Sequence, residues 1–156
     1  MPGNRGEEET PALVGFYLAV AAVVLADQAS KFFALRYLGD SSLSLIPGIF
    51  HLTLVHNQGV AFGFFRDHRI LLLGVISASI AVLVFWARRA RDLPELERAG
   101  LALILGGALG NWIDRMRWGA VVDFLDFRVW PVFNLADSAI TVGVALYLLV
   151  LLRRKS

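Results

Sequence analysis

The sequence predicts an all-α integral membrane protein: four transmembrane helices carrying a small extracytoplasmic β platform. Three observations lead there. The residues are 57% hydrophobic and 18% charged, with a mean hydropathy of +0.63, well outside the soluble globular norm. The apolar residues are gathered into long blocks, and a helix needs about 20 of them to cross a bilayer. Between two of the blocks lies a short stretch whose apolar residues recur with a period of two, as in a strand.

Taken in order, the helices are expected at about 12–36, 69–90, 98–115 and 133–152 of a single domain, 1–156, with segments 37–68 and 116–132 facing outward. The first block, ALVGFYLAVAAVVLADQASKFFAL, is interrupted by Asp27, Gln28 and Lys31. The stretch before it, NRGEEET, is acidic and the apolar run is too long for a signal-peptide core, so it reads as a retained helix. The block at 70–87 is uninterrupted. The block at 99–113 is shorter and glycine-rich, and needs flanking residues to reach full length. The last carries Asn134 and Asp137 as its strongly polar groups. In the first outward segment Phe50, Leu52 and Leu54 alternate with His51 and Thr53, between the turn signals Pro47-Gly48 and Asn57-Gln58-Gly59. The second, MRWGAVVDFLDFRVWP, reads as an interfacial aromatic loop containing Asp123, with Asp126 an ordinary loop acid facing water near Arg128.

Orientation follows from arginine and lysine. Arg88, Arg89, Arg91 and Arg98 lie between helices 2 and 3, and the C-terminus ends in Arg153, Arg154 and Lys155. The positive-inside rule makes those ends, and both termini, cytoplasmic. Arg36, Arg66, Arg69, Arg117 and Arg128 remain on the outer side, working or snorkelling. The chain has no cysteine, and its net charge of +2 is too small to suggest nucleic acid.

The polar residues inside these blocks need explaining, because an unpaired carboxylate at mid-bilayer costs about 2.5–3.5 kcal/mol. Asp27 and Lys31 share a helix face one turn apart and can neutralise each other. In GGALGNWIDR, Gly106 and Gly110 form a close-packing motif, and Asn111, Asp114 and Arg115 make one face of the helix end polar. Asp114 and Arg115 can be read as interfacial anchors; Asn111 lies deeper. Asn134 stands where an N-cap belongs, after Pro131. Asp137, read as the fourth helical position, is beyond the useful cap sites.

Other chemistries find no support. His51, His56 and His68 lack metal-ligand spacing. The serines lack a GxSxG elbow, and Ser30 and Lys31, adjacent on a helix, face different ways. What is left is carboxylates. Asp123 and Asp137, if brought together in a low-dielectric site, would share a proton and titrate as a unit. Such a pair activates water with its charged member and polarises a carbonyl with the other, needing no metal or cofactor. Two alternatives stay open on spacing. Asp123 could be exposed with Asp137 paired to Arg115, or Asp27, Asp114 and Asp137 could form the relay of a proton-coupled transporter. The relay is disfavoured because the carboxylates cluster at one end, the cytoplasmic helix halves lacking them. A non-catalytic scaffold leaves Asn57, Asn111 and Asn134 unexplained.

Five ordered stretches resemble the motifs of the bacterial lipoprotein signal peptidase (signal peptidase II) family: DQASK at 27–31, NQGVAFG at 57–63, GGALGNWIDR at 106–115, VVDF at 121–124 and FNLADSAITVG at 133–143. The resemblance implies an intramembrane aspartic endopeptidase that cuts a prolipoprotein N-terminal to a diacylglyceryl-modified cysteine. It makes Asp123 and Asp137 the catalytic pair. Asn57, Asn111 and Arg115 would line the site. Asp27, Lys31, Asp114, Asn134 and Ala136 would support it, and Gly59, Ala61 and Phe62 would shape the pocket. It implies a monomer in the bacterial cytoplasmic membrane, in contact with membrane lipid, with no cofactor and the active site near the extracytoplasmic face.

Overall fold

The computed structural model describes residues 5–39, 42–59 and 69–154. Four long helices and a three-stranded sheet follow one another as α1 (Arg5–Tyr37), β1 (Leu43–Ile46), β2 (Phe50–Asn57), α2 (Arg69–Ala87), α3 (Glu95–Trp118), β3 (Val121–Asp126) and α4 (Leu135–Arg153), with a 3-10 turn at Ala90–Asp92 before α3. Three of the helices are long and apolar enough to cross a membrane, over Ala12–Tyr37, Ile70–Ala87 and Leu135–Arg153. Their apolar side chains are largely outward: Leu18, Leu25, Val82, Phe85 and Leu152 are all exposed. With no water to exclude from such a surface, it suits lipid.

Helix α3 differs in kind. It is the centre of the bundle, packed against α1, α2 and α4, and it buries Leu101, Ala102, Leu105, Asn111 and Asp114. Its polar residues and glycines dilute its hydropathy because it faces protein rather than lipid. The glycines are where helices touch. A Cβ on Gly106 would stand 2.7 Å from the Val23 Cβ of α1. One on Gly107 would stand 2.4 Å from the Ala136 carbonyl oxygen of α4, and one on Gly143 2.6 Å from the Gly100 oxygen. The Gly106–Gly110 pair therefore serves α1, while Gly107, Gly100 and Gly143 let α3 and α4 approach.

The sheet closes one end. Its order is β1-β2-β3, antiparallel throughout. The period-two reading of β2 is realised physically, with Leu52 and Leu54 packed beneath the sheet against Ala34, Leu38 and Phe124. The segment at Val121–Asp126, expected as a loop, is instead strand β3, pairing Val55 with Asp123 and Asn57 with Val121. The reason is backbone satisfaction: an apolar segment at a helix-bundle rim needs partners for its amides, and β2 supplies them. Gly119, in the left-handed region at φ 71°, ends α3 and turns the chain into this strand.

Two expectations about acids are corrected. Asp126, expected to face water, is buried on β3 near Arg128. It accepts from Thr53 Oγ1 at 2.8 Å and from the Arg128 backbone N–H at 2.8 Å, and that N–H, foremost, holds its carboxyl below the usual range. The end of the bundle away from the sheet is also not free of carboxylates. Helix α3 begins at Glu95, three residues earlier than expected, so Glu97 lies within it, buried, 2.8 Å from Arg154 Nη2. Arg154 is 54% exposed and can turn to water, whereas Glu97 cannot. Arg154→Ala is therefore expected to cost about 1–3 kcal/mol by stranding a buried charge, and Glu97→Gln distinctly less. Thermal unfolding of the two variants in detergent checks the order.

Candidate functional site

The polar residues of α1, α3 and α4 converge beneath the sheet. Helix α1 contributes Asp27 and Lys31, both fully or almost fully buried. The Lys31 ammonium lies 2.8 Å from Asp27 Oδ2 and 2.8 Å from Asp114 Oδ2, so it joins two helices rather than only neutralising its own. Asp27 also accepts from the Ala136 N–H at 2.9 Å, tying α1 to the first turn of α4. Asp114 accepts from Gln28 Nε2 at 2.8 Å and from the Val122 N–H at 3.1 Å. It is an internal tie from α3 to β3, not an interfacial anchor, because each of its oxygens has a donor inside the protein. Arg115 likewise bonds within the protein, donating to the Gly59 carbonyl at 3.1 Å and securing the turn after β2. Gly59 is buried in that turn. Ala61 and Phe62 lie outside the described residues.

Asn134 is fully buried and caps α4. Its side-chain oxygen accepts from the Asp137 N–H at 2.9 Å, and the Asp137 carboxylate accepts from the Asn134 N–H at 3.3 Å. This is a reciprocal capping box. Because α4 begins at Leu135, Asp137 is its third residue, not its fourth, and the cap claims one of its oxygens. The other oxygen accepts from Asn111 Nδ2 at 2.7 Å.

Asp123 is 1% exposed on β3. Its two oxygens accept from Asn57 Nδ2 at 3.0 Å and from Asn134 Nδ2 at 2.7 Å. Asn134 thus touches both carboxylates, that of Asp123 through its side-chain NH2 and that of Asp137 through its backbone N–H. The structure brings Asp123, Asp137, Asn57, Asn111 and Asn134 into one hydrogen-bonded cluster, with Asp27, Lys31, Asp114 and Ala136 behind it. Gln28 belongs to this group, bridging Asp27 and Asp114; on the sequence it counts as an interruption of the apolar block and is given no place in the site. Its place between Asp27 and Lys31 in an apolar helix was the available signal.

Burial pushes the Asp123 carboxyl up, against its amide donors and with the Asp137 charge adding to the rise, to about 6. A raised carboxyl favours the folded state below the unfolded value and withdraws that stability as pH rises to the folded one. The stability difference between the unaltered protein and Asp123→Asn is therefore expected to move in favour of the Asn variant by about 2–3 kcal/mol between pH 4 and pH 7. Unfolding measured in detergent across that range tests it. A difference independent of pH would show that Asp123 ionises normally.

Beside Asp137 opens an apolar groove of about 560 Å³, walled by Phe127, Trp130 and Phe133 on one side and Ser138, Thr141 and Val142 of α4 on the other. A bundle with three membrane-length helices, its polar side chains gathered under a sheet at one end, defines a multi-pass membrane protein with a one-ended polar site. Comparison with known proteins narrows that class. Residues 19–153 match the family described as signal peptidase (SPase) II. The lipoprotein signal peptidase of Moorella thermoacetica is 50% identical over 131 residues, covering 82% of this chain and 87% of that protein. That of Halothermothrix orenii is 43% identical over 136 residues, 86% of this chain and 93% of the other. A solved bacterial membrane enzyme superposes with a TM-score of 0.81 at 31% identity, covering 91% of this chain and 90% of its own. The chain belongs to the signal peptidase II family, and is a bacterial membrane protease.

Proposed function

We propose that the protein removes signal peptides from diacylglyceryl-modified prolipoproteins, cutting N-terminal to the lipidated cysteine, with Asp123 and Asp137 as an aspartic catalytic pair. The observation that carries the reading is the position of Asn134, which donates from its side-chain amide to the Asp123 carboxylate and from its backbone N–H to the Asp137 carboxylate. Nothing in helix capping requires Asp123 to be there. Two acids held that close in a desolvated site divide labour: one keeps its charge, the other keeps a proton.

In the reaction the charged aspartate takes a proton from water as its oxygen bonds to the scissile carbonyl carbon. The protonated aspartate donates to the carbonyl oxygen, giving a gem-diol. Collapse breaks the C–N bond. A diol hydroxyl returns its proton to one aspartate while the leaving nitrogen takes the proton held by the other. The apolar groove beside Asp137 suits an apolar segment of the substrate, and its opening along α4 lets acyl chains stay in the bilayer. In this reading α3 is the fourth crossing, both termini are cytoplasmic, the sheet lies at the extracytoplasmic face and the enzyme works as a monomer.

The test is purified protein in phospholipid micelles with a diacylglyceryl-modified precursor and the same precursor unmodified. The expected product begins at the lipidated cysteine and forms from the modified precursor alone. Cleavage of neither sinks the proposal. Proton-driven uptake in liposomes, without cleavage, would instead establish the transporter alternative.

A further inference from the structure

Three asparagines face the aspartate pair, and each has its amide oriented by what holds its oxygen. Asn57 Oδ1 accepts from the Gly59 N–H at 3.1 Å, and Asn134 Oδ1 from the Asp137 N–H at 2.9 Å. These are backbone donors, so they cannot turn away. Asn111 is different. Its Oδ1 accepts from the Lys31 ammonium at 3.0 Å and from Asn134 Nδ2 at 3.0 Å. Its Nδ2 is thereby left pointing at Asp137 Oδ1, 2.7 Å away.

We propose that Lys31 is a positioning residue for the hydrolytic reaction: it fixes the Asn111 amide so that Asp137 meets an N–H donor and never the Asn111 carbonyl. The inference rests on the reading of Asp123 and Asp137 as the reacting pair.

An ammonium has three hydrogens and no lone pair. Lys31 is 2% exposed and spends its three hydrogens on Asp27, Asp114 and Asn111. Were the Asn111 amide to flip, its NH2 would face that ammonium and its oxygen would face the Asp137 carboxylate. Both contacts are repulsive, and burial leaves no water to relieve them. A neutral donor in place of Lys31 would not enforce the orientation in this way, and an apolar residue would leave only the neutral Asn134 Nδ2 donor to favour it. The two carboxylates on Lys31 have a matching purpose. They anchor the ammonium between α1 and α3, so that its third hydrogen is aimed at Asn111 Oδ1. The charged groups around Asp137 are Lys31 of α1, Arg115 of α3 and Asp123 of β3, with Asp27 and Asp114 behind Lys31. Lys31 therefore has two routes to the pair, a direct field and the amide, and the two are separable.

The experiment compares Lys31→Met, Asn111→Ala and both together, reading kcat, KM and the pH profile of kcat/KM with a lipidated precursor. With Asn111 present, Lys31→Met is expected to lower kcat about a hundredfold with little change in KM. The acid limb of the profile should rise by about one pH unit, because a carboxylate that loses a donor ionises less readily. With Asn111→Ala already present, Lys31→Met should cost less than about threefold and move the limb distinctly less, only the direct field being left to lose, since residues acting as a unit are non-additive. Losses that multiply, or a limb unmoved by Lys31→Met alone, would overturn the role of the amide and leave the function intact. No cleavage by the unaltered protein would overturn both. Lys31→Met leaves Asp27 and Asp114 facing each other. If it does not accumulate folded, the same comparison is made with Asp114→Asn present throughout, and is read by the same two outcomes.

Discussion

Asp123→Asn and Asp137→Asn are each expected to lower kcat/KM on a lipidated precursor at least about a thousandfold, with the protein still folded. The substitutions are nearly isosteric. Asn at 137 can still accept from the Asn134 N–H, so the α4 cap survives, and Asn at 123 can still accept from Asn134 Nδ2. What each removes is the ability to carry a charge or pass a proton. Because the pair acts as one unit, the double variant should be scarcely worse than either single. Retention of more than a tenth of the activity by a folded single variant would remove that aspartate from the reaction.

The second large effect is remote from the acids. Gly107→Ala places a methyl 2.4 Å from the Ala136 carbonyl oxygen, a backbone atom with no rotamer to retreat into. Either α3 and α4 separate or the variant unfolds, at about 1–3 kcal/mol for overpacking. Separation moves the residue next to Asp137, and a displacement of about 1 Å in such a site costs about a hundredfold in rate. Gly15→Ala is the control. A Cβ there meets nothing within 4 Å, so its activity should match that of the unaltered protein. Equal activities for the two variants would mean that α3 and α4 do not need this contact.

Much of the site was legible in the sequence because polar residues in apolar helices are expensive and so conspicuous. Asp27, Lys31, Asn111, Asp114, Asn134 and Asp137 all stand out on that ground, and the structure gathers them at one end. Asp123 was conspicuous too, but as a loop residue, since an apolar stretch beside aromatic residues has the composition of an interface as readily as of a strand. Asn134 was legible as the α4 cap, but Asp137 was counted one residue too deep, because helix starts are set by φ and ψ, which composition does not carry. Glu97 was overlooked for the related reason that α3 begins before its apolar run does.

By itself the sequence determined the membrane-length helices, the short strand at 50–54 and the acids worth attention, because hydropathy and periodicity act locally along the chain. Only the tertiary structure decided that β3 pairs with β2, that α3 is the shared core helix, and that Lys31 joins two helices. It alone placed Asn134 between Asp123 and Asp137. Those are questions of which surfaces meet across tens of residues, and orientation at the meeting depends on hydrogen-bond directions. The amide of Asn111 shows the difference most sharply. Its identity is written in the sequence, but which end faces Asp137 is settled by an ammonium 80 residues away.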